Sequence, residues 1–243
     1  MLSSSKNTPR NLTLDNYLDS HYIHRSNWLR AAVLGANDGI ISISSIAIGI
    51  AAASTTRDPI VLATLAGLVA GALSMAAGEY VSVSSQTDTE KADIKREAQE
   101  LKDMPEAELR VLAQIYEKRG LRKETATQVA KELTEADALG THIRDELGLN
   151  EISQANPIQA ALASGASFTI GGILPMLVAL FAPIQFMEYS LYGFSIVSLM
   201  ILGAIAAKTG GSSISKAIGR ITIWGTLAMG LTALVGYFFG VSV

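Results

Sequence analysis

Residues 71–100 read GALSMAAGEYVSVSSQTDTEKADIKREAQE, and this stretch decides the fold. Its first third is apolar and rich in small residues, the composition of a helix packed inside a bilayer. Its last third is densely charged, yet no Gly or Pro falls between Gly78 and Pro105 to stop a helix from running through both parts. Met75 and Glu79 are four residues apart and therefore stack on one helical face. Glu90, Asp93, Glu97 and Glu100 follow at intervals of three, four and three, again on one face. A thioether and a carboxylate in an apolar segment, continued by a carboxylate stripe in water, describe a route for a metal cation.

The rest of the chain fits that frame. It is 49% hydrophobic and 17% charged, with a mean hydropathy of +0.32, on the membrane side of ordinary globular composition. Of its 22 acidic residues, 16 lie between Asp88 and Glu151. There is no cysteine, which excludes disulfides, thiolate metal sites and a cysteine nucleophile. Aromatics at 6% are too few for a protein that stacks nucleic-acid bases. No HExxH, Walker loop or Ser-His-Asp pattern points to hydrolytic or nucleotide chemistry, so an enzyme is not expected.

The 26 residues between Arg30 and Arg57 carry one charge, Asp38, and are long enough to span a hydrocarbon core of about 30 Å. Asp58-Pro59 reads as a helix start, and the 20 uncharged residues from Pro59 to Gly78 form a second span. Asn156-Pro157 opens a third, in which Gly171-Gly172 and Pro175 are expected to interrupt the helix. Tyr189–Ala207 and Ile221–Val243 give the fourth and fifth, separated by a basic Gly/Ser-rich loop. The expected architecture is an all-α membrane protein: five transmembrane helices, with a helical insert between the second and third. Its divisions are a tail at 1–27, helices one and two at 28–85, the acidic insert at 86–156 and helices three to five at 157–243. Within the insert, breaks are expected at Asp103-Met104-Pro105, at Gly120 and ahead of Asp137. In the tail, Asn11–Arg30 could form an amphipathic interfacial helix; His21 and His24 there read as interfacial residues rather than a metal site. With no early apolar core, the tail does not read as a cleaved signal peptide. Lys6, Arg10, Arg25 and Arg30, with Lys208, Lys216 and Arg220, put the N-terminus and insert in the cytoplasm and the C-terminus outside.

A carboxylate within a span costs about 2.5–3.5 kcal/mol on insertion scales, so Asp38 and Glu79 call for a water-filled path, a proton relay or a partner. Met75 beside Glu79, facing Asp38, adds a soft donor that favours Fe²⁺, Mn²⁺, Co²⁺ or Zn²⁺ over Mg²⁺ or Ca²⁺. The stripe Glu90, Asp93, Glu97 and Glu100 has Lys91, Lys95 and Arg96 interleaved, the ordinary pattern of a solvated face. Glu106, Glu108, Glu117, Glu146 and Glu151 are further candidate ligands, with Met104 as a soft contributor.

Three motifs, GANDGIISISSIAIGI (35–50), LAGLVAGALSMAAGEYVSVSSQTDTE (65–90) and NPIQAALASGASFTIGGILPML (156–177), together with the span order, resemble the vacuolar iron transporter family of divalent metal/proton antiporters. The resemblance implies a homodimer with a metal path between protomers at Asp38, Met75 and Glu79. It also implies that glutamates of the insert gather the metal first. Glu90, Glu97 and Glu100 match best; Glu108, Glu117 and Glu146 match less closely, because the insert looks longer than in the eukaryotic branch. The implied activity is export of Fe²⁺ or Mn²⁺ from the cytoplasm by proton antiport, with no prosthetic group and no nucleic-acid partner. The compact length and the lack of a targeting segment suggest a bacterial plasma membrane. Two other readings are a membrane-anchored iron-oxidising store and a metal sensor. The store would need Glu-x-x-His pairs, and the insert offers only His142, with no Glu three residues before it.

Overall fold

A computed structural model of the chain describes residues 26–149 and 156–240, and it is all-α. Among the described residues, seven helices and one 3₁₀ turn follow in order: α1 (Ser26–Ala53), α2 (Arg57–Asp103), α3 (Pro105–Lys118), α4 (Lys123–Asp145), α5 (Pro157–Phe181), the turn Ile184–Phe186, α6 (Met187–Thr209) and α7 (Ile214–Gly240). Five of them, α1, α2, α5, α6 and α7, are long and apolar enough to cross a membrane. The chain divides into two compact units, Met1–Met75 with Ala163–Val243, and Ala76–Leu162. Tail residues His21 and His24 lie outside the described residues.

Helix α2 is unbroken for 47 residues, about 70 Å at 1.5 Å per residue. Its continuity follows from the missing turn residues after Gly78, and Pro105 terminates it by opening α3.

In the first unit, α1 is the helix the others pack on. A Cβ added at Gly35 would lie 2.6 Å from the Ser164 carbonyl oxygen, and one at Gly171 would run into the carbonyl of Ala36. The matches Gly35–Ser164 and Gly39–Phe168 each advance by four residues together, so α1 and α5 run parallel. Gly236 meets the Gly49 carbonyl and Gly240 meets Ala53, which makes α7 parallel to α1 as well. Close backbone contact between helices is how small residues stabilise packing in lipid, where burial of apolar surface supplies no net drive. The remaining contacts are larger side chains: Ile40, Ile48, Ile60, Met187, Leu191, Leu199 and Met229 form one cluster, and Ile43, Leu68 and Phe168 another. Outward-facing Leu62, Leu73, Phe181, Trp224 and Phe238 remain exposed, as lipid-facing positions must. Gly171→Val should therefore separate α1 from α5 and cost about 1–3 kcal/mol or more, because the atoms in the way are backbone. The unfolding midpoint in detergent reads this. Gly193→Ala, where a Cβ meets nothing within 4 Å, should leave it unchanged or higher.

Two expectations need correction. Gly171-Gly172 and Pro175 do not interrupt α5: the glycines are its contact surface for α1, and Pro175 is buried within a continuous helix. Helix α7 begins at Ile214 rather than Ile221, taking Lys216 and Arg220 out of the expected loop and into its first two turns. Arg57 caps the C-terminal end of α5. Its Nη1 donates to the carbonyls of Ala179 (3.2 Å) and Leu180, and its Nη2 to that of Ala182 (2.5 Å). Those carbonyls have no partner within the helix, and a cation there also complements the helix dipole.

In the second unit, α3 and α4 pair antiparallel through Leu109, Leu112, Ala113 and Tyr116 against Ala130 and Leu133. Gly120 (φ +102°) makes the turn between them. Asp137, extended at φ −162° and ψ 90°, divides α4 at the expected place, and its Oδ1 accepts the Gly140 N–H at 2.9 Å to start the second segment.

Candidate metal centre

The second segment of α4 carries His142 and Glu146 one turn apart, on the same face. Glu108 comes from the first turn of α3, immediately after the Met104-Pro105 break, where a carboxylate suits the helix N-terminus. Glu97 comes from the water-soluble part of α2. These four side chains converge, each offering a ligand atom, and the atoms lie within 4.8 Å of one another. His142 Nδ1 is 2.9 Å from Glu97 Oε1, 2.8 Å from Glu146 Oε2 and 3.9 Å from Glu108 Oε2. His142 is fully buried, and Glu97 and Glu108 are buried at 2% and 7% exposure.

A ring nitrogen has at most one hydrogen to give. The Nδ1 contact with Glu146 meets hydrogen-bond geometry, whereas Glu97 Oε1 is buried without a hydrogen-bond partner among the described residues. Three carboxylates gathered round one imidazole are unfavourable unless a cation joins them. Burial, then the charge of Glu146, pushes the Glu97 carboxyl above its ordinary value; His142 opposes this, and Glu108 and Glu100 add to it. Glu108 is raised in the same way, by burial first and then by Glu146 and Glu100, with His142 again opposing. Ligand atoms about 2.0–2.2 Å from one ion lie up to roughly 4.4 Å apart, so the cluster has the size of a single-ion site after slight closure.

A second network holds this geometry. Asp145 accepts hydrogen bonds from Tyr116 Oη (2.9 Å), Arg119 Nη1 (2.6 Å) and Arg144 Nη2 (3.0 Å), tying the end of α4 to α3. Burial works against the Asp145 carboxylate, but the Arg119, Tyr116 and Arg144 hydrogen bonds outweigh it and leave the group below its ordinary value.

Of the residues named from sequence, the structure brings Glu97, Glu108 and Glu146 together. Glu90 accepts a hydrogen bond from Gln86 (2.9 Å), and Asp93 and Glu100 flank the exposed Arg96 at 3.9 and 3.8 Å. Glu117 is half-buried on α3, away from the cluster, and Met104 is exposed. In the first unit, Asp38 is half-buried on α1 and its Oδ1 accepts the Ser42 hydroxyl at 2.8 Å. Met75 packs beside Ile43, Leu68 and Phe168. Glu79 is half-buried one turn further along α2. Sequence reasoning missed His142 as a member. The signal is present as His142-x-x-x-Glu146, one face of one helix, rather than as Glu-x-x-His.

Five long apolar helices and a cluster of two buried carboxylates, a buried imidazole and the exposed Glu146 define a multi-pass membrane protein with a site suited to a divalent cation. Residues 29–237 match the model of the VIT family. The chain is 44% identical over 213 residues to a vacuolar iron transporter of Acanthamoeba castellanii, covering 87% of this chain and 78% of that one. It is 33% identical over 241 residues to vacuolar iron transporter homolog 1 of Arabidopsis thaliana, covering 96% and 97%. It is 33% identical over 229 residues to VIT-like transporter 1b of Glycine max, covering 92% and 83%. The chain belongs to the VIT family.

Proposed function

We propose that this protein moves divalent iron or manganese out of the cytoplasm in exchange for protons. The observation that carries the reading is the convergence of Glu97, Glu108, His142 and Glu146 in a chain whose relatives are named as iron transporters. Oxygen donors with one nitrogen accept Fe²⁺ and Mn²⁺, and Zn²⁺ and Co²⁺ as well; the names of the relatives favour iron. The insert takes up the cation from the cytoplasm, the side on which the basic residues of the tail and of the α6–α7 region are expected. Met75, Glu79 and Asp38 then carry it through the membrane, and a second copy of the chain completes the path. Protons arriving from outside compete for the carboxylate oxygens and release the metal, since ligands must be deprotonated to bind. A bacterial plasma membrane belongs to the same proposal. The vacuole is the membrane named for the amoebal and Arabidopsis relatives, not for this chain.

The test is Mn²⁺ or Fe²⁺ flux in proteoliposomes with an imposed pH gradient. Flux that requires the gradient is the expected result. Gradient-independent flux would make the protein a channel. Bound metal with no flux would favour the storage or sensor readings.

A further inference from the structure

Among the described residues, the insert cluster contains a single nitrogen donor, and it lies at the centre. Nδ1 of His142 is within 3 Å of oxygens from both Glu97 and Glu146, so an ion that uses those two carboxylates must also meet the imidazole. The ring has no freedom to swing aside, because His142 is fully buried. We propose that His142 is a specificity-determining residue: its nitrogen makes the insert site select first-row transition ions over Mg²⁺ and Ca²⁺. The inference rests on the reading of this cluster as the place where the cation is taken up.

Ca²⁺ takes six to eight oxygen ligands at about 2.3–2.6 Å, and Mg²⁺ holds several of its waters in a rigid octahedron. An obligatory nitrogen at the centre of the cluster takes up a position that Ca²⁺ or Mg²⁺ would fill with an oxygen. Mn²⁺, Fe²⁺, Co²⁺ and Zn²⁺ accept imidazole readily and tolerate lower coordination. Three carboxylates alone would be a poor filter, because Mg²⁺ and Ca²⁺ are themselves carboxylate-binding ions. The filter lies in the nitrogen.

The experiment uses the full chain in detergent with His21→Asn and His24→Asn, which leaves His142 as the sole histidine. Binding of Mn²⁺, Ca²⁺ and Mg²⁺ is measured separately and in competition. The insert component is the binding lost in Glu97→Gln/Glu108→Gln. For that component, His142→Asp should lower the preference for Mn²⁺ over Ca²⁺ by about tenfold or more, with Ca²⁺ binding kept or strengthened. An unchanged preference with Mn²⁺ still bound overturns the role of His142 and leaves the site standing. No insert component at all, with Glu97→Gln/Glu108→Gln binding Mn²⁺ as well as the parent, overturns the site and the proposal with it. If His142→Asp does not fold, pulsed EPR of Mn²⁺ on the parent decides: nitrogen modulation supports the proposal and its absence overturns it.

Discussion

Asp38→Ala should reduce metal flux in proteoliposomes by more than about 100-fold, since even loss of an outer-shell partner costs 10–100-fold at a metal site. Capture of metal by the insert should be unaffected. Asp38 is the sole charge in the 26 residues between Arg30 and Arg57, and its contact is the hydroxyl of Ser42 on its own helix. A carboxylate placed there is a cost to folding in a membrane that only a function offsets. Asp38→Asn keeps the Ser42 hydrogen bond and removes the charge, so it separates the two contributions: an equally silent Asn variant assigns the effect to charge. Mn²⁺ binding to the insert, followed in the same preparations, supplies the control. If Asp38→Ala also abolished that binding, capture and translocation would not be separate steps.

The second large effect concerns the insert. Glu97→Gln/Glu108→Gln should weaken its metal binding by more than about 100-fold while stabilising the metal-free protein at pH 8. The sign follows from the direction of both shifts. Glu97 and Glu108 have carboxyls raised in the folded state, so that state holds protons more tightly than the unfolded chain does. Their contribution is fully present below the ordinary glutamate range, near roughly pH 4.3, and is lost as pH rises through the raised folded values. Asp145 acts oppositely: its lowered carboxyl contributes stability above the ordinary aspartate range, and that contribution is lost as pH falls through the folded value. The metal-free insert should thus melt at a higher temperature under mildly acidic conditions than at pH 8, with Mn²⁺ reversing the order. Thermal melts at several pH values, with and without Mn²⁺, read both the slope and its reversal. A metal-free melting temperature that rises steadily from pH 5 to pH 8 would contradict the assignment.

Much of this was legible in the sequence because it depends on local properties. Uncharged runs gave the spans, and Pro105, Gly120 and Asp137 gave the breaks in the insert, because each acts on its own backbone. Membership of the metal cluster could not be read the same way. The spacing of Glu90, Asp93, Glu97 and Glu100 places them on one face of α2, but which of them meets another helix depends on where α3 and α4 lie. Only Glu97 meets His142, while Asp93 and Glu100 flank Arg96 in solvent. The Gly171-Gly172 pair misled for a related reason. Glycine weakens an isolated helix, yet here it permits the approach of α1 that the helix needs in lipid.

The glycine contacts also set which parts of the first unit can move. Helices α1, α5 and α7 touch backbone to backbone, at Ala36–Gly171, Gly39–Phe168 and Gly49–Gly236, and such surfaces leave no slack for sliding. The corresponding glycines of α2 face only side-chain ends: Gly67 meets the tip of Ile46, and Gly71 meets the ring of Phe168. Side chains can change rotamer where a carbonyl cannot yield, and small sliding of packed helices proceeds by such repacking. By this contrast the three parallel helices form the stiffer part of the unit, and the apolar half of α2 the part whose contacts can repack. Asp38 lies on the stiffer part and Met75 on the part that can repack, so on the proposed path a shift of α2 would change the distance between the two ligands.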